Sequence, residues 1–196
     1  MPRSTATRKA TYADLEAVPP HLVAEILYGA LVTHPRPVPR HGAATVAMAA
    51  VLVGPFQRGF GGTGGWVFVV EPELHLGEHT IVPDLAAWKA EQLPASAVEK
   101  AYIEVAPDWV LETLSPSTER YDKGDKRSIY AEFGVGHLWY LDPRSRSLET
   151  FIRSGTTWTV GAAYFETDDV CAAPFDAITF PLGLMWPFDM PKPTNA

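Results

Sequence analysis

One cysteine, Cys171, is all that this 196-residue chain contains. An intrachain disulfide and a cysteine-based zinc site are therefore excluded, and the usage fits a reducing, cytoplasmic compartment. Basic residues are also in short supply, 16 Lys and Arg against 23 Asp and Glu, for a formal charge of −7. Such a balance excludes a protein that coats nucleic acid wholesale, because phosphate binding runs on Lys and Arg. It leaves room for a local basic groove on an acidic body. Long apolar runs are missing too. The longest uncharged one, from Gly42 to Phe56, carries Gly, Thr and Pro and is too short to span a bilayer, so no membrane partner is expected. The opening MPRSTATRKA has basic residues but no apolar segment behind them, which excludes a secretory signal and reads as a flexible arm over residues 1–10.

What is present is ordinary globular material, 46% hydrophobic and 20% charged, long enough for one domain over residues 11–196. Thr11 and Asp14 mark a helix start that stops before Pro19-Pro20. Leu22–Tyr28 and Leu31–Thr33 flank Gly29-Ala30 as a hairpin, and Pro35, Pro37 and Pro39 force an extended connection. A buried helix is predicted from His41 to about Arg58, with Gly42 and Gly54-Pro55 at its ends. Trp66–Leu76 and Ile81–Trp88 read as strands joined across Gly77–Thr80. A polar loop or short helix over Gln92–Lys100 follows, then a strand Trp109–Leu114, a turn, and a helix from about Asp122 to Phe133 closed by Gly134. His137–Leu141 is a strand, and Leu148–Arg153 with Thr157–Val160 form a hairpin. The apolar, proline-spaced tail Phe175–Phe188 is expected to pack on the body.

Chemistry concentrates in DWVLETLSPSTERYDKGDKRSIY, Asp108 to Tyr130. Strand alternation puts Trp109, Leu111 and Thr113 on one face and Val110, Glu112 and Leu114 on the other. Both faces are mostly apolar, the mark of a covered central strand. A carboxylate at Glu112 then costs several kcal/mol unless it is paired or bound to metal. Asp84, in Ile81-Val-Pro-Asp-Leu, has a similar setting, with Pro83 suggesting a strand start or edge. Two acids from neighbouring strands suit a hard divalent cation such as Mg²⁺, whose shell water and substrate complete. On the following helix Lys126, Ile129, Tyr130 and Phe133 share one face, so Lys126 points inward, with Asp122 a turn earlier as its ion-pair partner. For any one of these residues a structural ion pair is the simpler role; their convergence would change that.

The segments Val82-Pro-Asp84-Leu, Glu112-Thr-Leu-Ser-Pro-Ser-Thr118, Asp122-x3-Lys126-x3-Tyr130, Gly134-Val135 and Leu138-Trp-Tyr-Leu-Asp-Pro143 closely resemble the Uma-two family of restriction-endonuclease-like proteins, in the PD-(D/E)XK nuclease superfamily. Glu25-Ile-Leu-Tyr-Gly29 and His41 extend the match more loosely. The resemblance implies a mixed α/β (α+β) sheet flanked by helices with a restriction-endonuclease-like core. It implies Asp84 and Glu112 as metal-binding acids, Mg²⁺ (with Mn²⁺ as substitute) as cofactor, and DNA as the hydrolysed partner. Glu25, Asp122 and Tyr130 are accessory candidates. The superfamily's lysine position, two after the second acid, holds Leu114 here, so Lys126 is expected to replace it from the helix. A homodimer would supply two centres for two strands. A non-cleaving binding module on the same fold and a metal-dependent hydrolase of another substrate are the rival readings.

Other residues carry weaker signals. Gly59-Phe-Gly61-Gly-Thr-Gly64 matches G-x-G-x-x-G by letter, but it follows a helix and opens a strand, the reverse of a dinucleotide site. His75 and His79 are four apart around a turn, which does not make a zinc-binding helix face. Ser115 and Ser117 suit turn duty, and Trp139 and Tyr140 the core. Arg120, Lys123 and Arg127 form either a solvated helix face or a phosphate-contacting rim.

Overall fold

A computed structural model describes residues 8–189. Its centre is a six-stranded mixed sheet in the order β10-β9-β8-β7-β6-β3. These strands span β3 Trp66–Val70, β6 Leu85–Lys89, β7 Trp109–Thr113, β8 His137–Asp142, β9 Ser147–Ser154 and β10 Thr157–Phe165. β7 and β8 are parallel, and the other neighbours in this sheet are antiparallel. A second sheet, β2-β1-β5-β4, is built from β1 Leu22–Leu27, β2 Ala30–Pro35, β4 Leu74–Leu76 and β5 His79–Ile81. Its first hairpin turns through Tyr28 and Gly29, both at positive φ (50° and 75°), the geometry that matches the strand twist. β11 Asp169–Val170 and β12 Phe180–Pro181 form a small third pair.

The alternation predicted for β7 is present, and every residue of that strand is buried. Trp109 and Leu111 join Leu85, Trp139 and Leu141 in a core roofed by α2, Pro39–Leu52, through Ala44, Met48 and Leu52. Val110 and Leu114 face the opposite core, with Ile129, Tyr130, Leu138 and the second sheet's Leu27, Leu74 and Ile81. The helical connection from β7 to β8 runs as α3 (Glu119–Tyr121), a π turn (Asp122–Lys126) and α4 (Arg127–Glu132). It lies on this second side and carries Lys126 inward.

Three expectations change. The run Trp66–Leu76 breaks at Glu71-Pro72, and β4 leaves for the second sheet, where it pairs with β5. Pro72 removes a ladder donor there, and Glu71 sits at φ 45°, a turn conformation. The second run divides likewise: Asp84 lies in a bend between β5 and β6, not within a strand. Neither glycine ends α2. The helix begins at Pro39, where a missing N–H is harmless, and continues through Gly54-Pro55 as a π turn, Val53–Gln57. Of the expected arm, residues 1–7 lie outside the described set. Arg8, Lys9 and Ala10 contact Asp14, Glu78 and the Gly29 carbonyl.

The tail packs as predicted. Phe175 is buried against Phe56, Trp66 and Trp109, with ring centroids 4.7, 5.0 and 5.1 Å away. Phe175→Ala is therefore expected to lower the unfolding free energy by about 3–5 kcal/mol. Urea denaturation followed by tryptophan fluorescence checks this; a loss under about 1 kcal/mol would mean the tail is dispensable.

Candidate active site

Glu112 is held by the sheet. β7 lies between β6 and β8, so its backbone is committed to ladders on both sides and the side chain has one direction to go. That direction is toward the π turn and α4. Its Oε1 accepts the Tyr130 hydroxyl at 2.5 Å and lies 2.9 Å from Lys126 Nζ. Lys126 and Tyr130 are four apart, so one helix face delivers both.

Lys126 is surrounded by oxygens. Besides Glu112, its ammonium donates to the Val82 carbonyl at 3.2 Å and lies 3.3 Å from both Glu25 Oε1 and Asp122 Oδ1. Asp122 and Lys126 sit at the two ends of the π turn, a distortion that recurs at functional sites because it re-aims side chains within a helix. Tyr140 braces the turn by donating its hydroxyl to the Asp122 carbonyl at 2.8 Å.

The charges of this cluster act on one another. Burial alone would lower the Lys126 pKa, but the facing carboxylates of Glu112 and Glu25 outweigh it and hold the ammonium well above its ordinary value. Burial pushes Glu112 well above the usual carboxylate range. Asp122 and Asp84 push the same way, and Lys126 opposes them. Asp122 is also raised, first by burial. For Glu25 burial is outweighed by the Lys126 charge, His34 and the Val82 N–H, which donates at 2.8 Å, so its pKa is lowered.

Asp84 arrives from the bend before β6. The β6–β7 ladder ends at the Leu85–Leu111 pair, and the Thr113 N–H just beyond it is taken by Asp84 Oδ2 at 2.7 Å. The other oxygen, Oδ1, is 3.3 Å from His41 Nε2. His41 and Thr45 are one turn apart on the buried face of α2, and Thr45 meets the Thr113 hydroxyl at 2.9 Å, fixing that helix over the end of β7. Burial opposes the His41 charge, yet Asp84 raises its pKa.

Asp84, Glu112, Asp122 and Lys126 all line one cavity of about 230 Å³. Glu25 and Tyr130 stand behind it, touching Lys126 and Glu112 respectively. Leu114, two residues after Glu112, is core, so no side chain there reaches the site. Arg120, Lys123 and Arg127 do not line this cavity. Lys123 is paired with Glu119 at 3.1 Å, and the Arg127 guanidinium lies 4.6 Å over the Phe151 ring. Ser115 bonds Ser117 and Thr118 in the turn, and His75 pairs with Glu73, as befits structural residues.

Four further ionisable residues line the wall. His34 and Arg36 come from the end of β2 and the proline connection, His41 from α2, and Glu71 from the break after β3. For His41 the sequence signal is the family resemblance alone. An arginine between two prolines and a non-glycine left-handed residue are the signals that point to the others, the second visible only in the backbone.

The Uma2 family model, described as "Putative restriction endonuclease", matches residues 10–173. A solved structure from Anabaena variabilis ATCC 29413, described as a "putative nuclease belonging to DUF820", superposes with a TM-score of 0.71 at 17% identity. The match covers 90% of this chain and 97% of that one. Identity that low shows a shared fold alone. No curated protein matches this sequence.

Proposed function

The chain belongs to the Uma2 family, and from that premise we propose that it is an endonuclease hydrolysing DNA phosphodiester bonds with a divalent cation, Mg²⁺ or Mn²⁺, at the Asp84–Glu112–Lys126 cavity. The observation that carries this reading is the convergence of those three side chains, from a bend, a strand and a helix, on one cavity.

The donor set fits a hard ion. Glu71, Asp84, Glu112 and Asp122 line the cavity, while the ammonium among them is already shared with Glu25 behind the wall. A lining rich in carboxyl oxygens is the donor type a hard cation takes. Among the described residues no three His, Cys, Asp or Glu side chains gather as a ready-made ligand cage. Mg²⁺ usually takes one or two protein carboxylates and completes its shell with water and substrate. Asp84 and Glu112 would hold it, and when bound it supplies an activated water and charge stabilisation at the phosphodiester.

The protein's own residues do the positioning. Thr113 and His41 aim Asp84, and Tyr130 and Lys126 aim Glu112. Lys126 stays protonated, since its pKa is raised. Its role is therefore to hold a positive charge beside the developing oxyanion and orient water, not to abstract a proton. A homodimer, giving one centre per strand of a duplex, belongs to the same proposal.

The test is nicking of supercoiled plasmid by purified protein. Nicking should require Mg²⁺ or Mn²⁺ and stop with EDTA; no cleavage with Mg²⁺, Mn²⁺ or Co²⁺ contradicts the proposal. One observation favours a second reading, a binding module that does not cleave. Glu112 Oε1 already receives two donors, and its raised pKa favours the neutral acid, a poor metal ligand. That reading expects DNA binding without nicking.

A further inference from the structure

A polyanion approaching this cavity meets carboxylates on a chain of charge −7. Something at the mouth must offset them. Lys126 is buried and engaged with oxygens on several sides, so its charge serves the interior of the cavity and not its mouth. Of the helix cations, Lys123 is paired with Glu119 and Arg127 lies over Phe151, while Arg120, exposed beside the Tyr121 ring, does not line the cavity. Apart from Lys126, the cavity wall contains one Lys or Arg among the described residues, Arg36.

Arg36 is exposed, and among the described residues it has no carboxylate partner. A single hydrogen bond, to the Pro20 carbonyl at 3.0 Å, tethers one end of its guanidinium. Five N–H donors in a planar fork leave ample capacity for phosphate oxygens, which the guanidinium matches two at a time. Pro35 and Pro37 flank it. Proline restricts its own φ and the conformation of the residue before it, so the segment is extended in advance and little is lost on binding. The same segment joins β2 to α2, and His34 and His41 on either side also line the cavity.

We propose that Arg36 is a phosphate-binding subsite at the cavity mouth, gripping the DNA backbone beside the bond presented to Asp84 and Glu112. The proposal rests on the nuclease reading and assigns the substrate contact that reading lacks. It makes Arg36 a substrate-binding residue supplied by the β2–α2 connection instead of the helix that follows β7.

The test is fluorescence anisotropy of a labelled DNA duplex, with the full chain in EDTA, across a salt series. Arg36→Ala should weaken binding about tenfold or more. The slope of log affinity against log salt should fall by about one phosphate contact. Arg36→Lys should restore the slope and only part of the affinity, because it keeps the charge and loses the fork. Arg127→Ala should leave affinity within about twofold and the slope unchanged. An unchanged slope in Arg36→Ala, with wild type binding normally, overturns the subsite and leaves the nuclease reading standing. Wild type that does not bind this duplex overturns the subsite, and overturns the nuclease reading as well only if it also fails to nick plasmid with Mg²⁺ or Mn²⁺.

Discussion

Asp84→Asn is expected to reduce divalent-dependent DNA cleavage by about 10³-fold or more, equivalent to at least about 4 kcal/mol of transition-state stabilisation. The fold should survive. Asparagine keeps an oxygen to accept the Thr113 N–H, now 2.7 Å from Asp84 Oδ2, so the end of β7 stays closed. The change also removes a negative charge that pushes the Glu112 pKa upward. Thermal stability should accordingly be equal to wild type or slightly higher, the opposite of what loss of a purely structural carboxylate would give. Plasmid nicking and a melting curve on the same preparation check the two halves together. Cleavage that persists in purified Asp84→Asn protein would remove Asp84 from the site.

Lys126→Met should damage both activity and stability. The substitution leaves Glu112, Glu25 and Asp122 crowded in the interior without their shared ammonium. Breaking a buried ion cluster by removing one member typically costs about 3–5 kcal/mol, a large part of a domain's margin. The sign of the pH dependence follows from the carboxyl groups. Without the lysine their folded pKa values rise above the unfolded ones, so the folded state holds protons that the unfolded chain releases. The penalty is then smallest below the unfolded carboxyl pKa, about 4.3, and grows as pH rises through and above it. Denaturation of wild type and variant at pH 5 and pH 8 measures this, and the gap should be wider at pH 8. An equal gap at both values would mean that the carboxyls do not depend on Lys126. Activity should be lost in whatever folded protein remains at neutral pH.

These two residues also mark how far the sequence could be read. Glu112 was legible because a strand alternates strictly. Once Trp109 and Leu111 are core on one face, Glu112 must point to the other, and there it meets α4. Lys126 was legible because Ile129 and Tyr130 define a buried helix face that includes it. The pairing of Asp122 with Lys126 followed from the same spacing, and the structure gives it at 3.3 Å. The π turn that carries both was not legible, since one extra residue per turn leaves no mark in the pattern of apolar residues. Nor could local pattern show that β4 and β5 join β1 in a separate sheet, because that pairing is a long-range choice made by tertiary packing. The wall of the cavity contributed by His34 and Arg36, at the end of the hairpin that β5 joins, depends on that choice. Arg120, Lys123 and Arg127 read from sequence as either a solvated helix face or a phosphate-contacting rim; none lines the cavity, and the arginine that does is Arg36, from the β2–α2 connection.

The most direct measurement is anomalous diffraction from crystals soaked in Mn²⁺, with wild type and Asp84→Asn compared. A single strong peak in the cavity lined by Asp84 and Glu112 in wild type, absent in the variant, is the predicted result. A manganese peak elsewhere with none in that cavity, under conditions where the protein nicks DNA, would contradict the assignment.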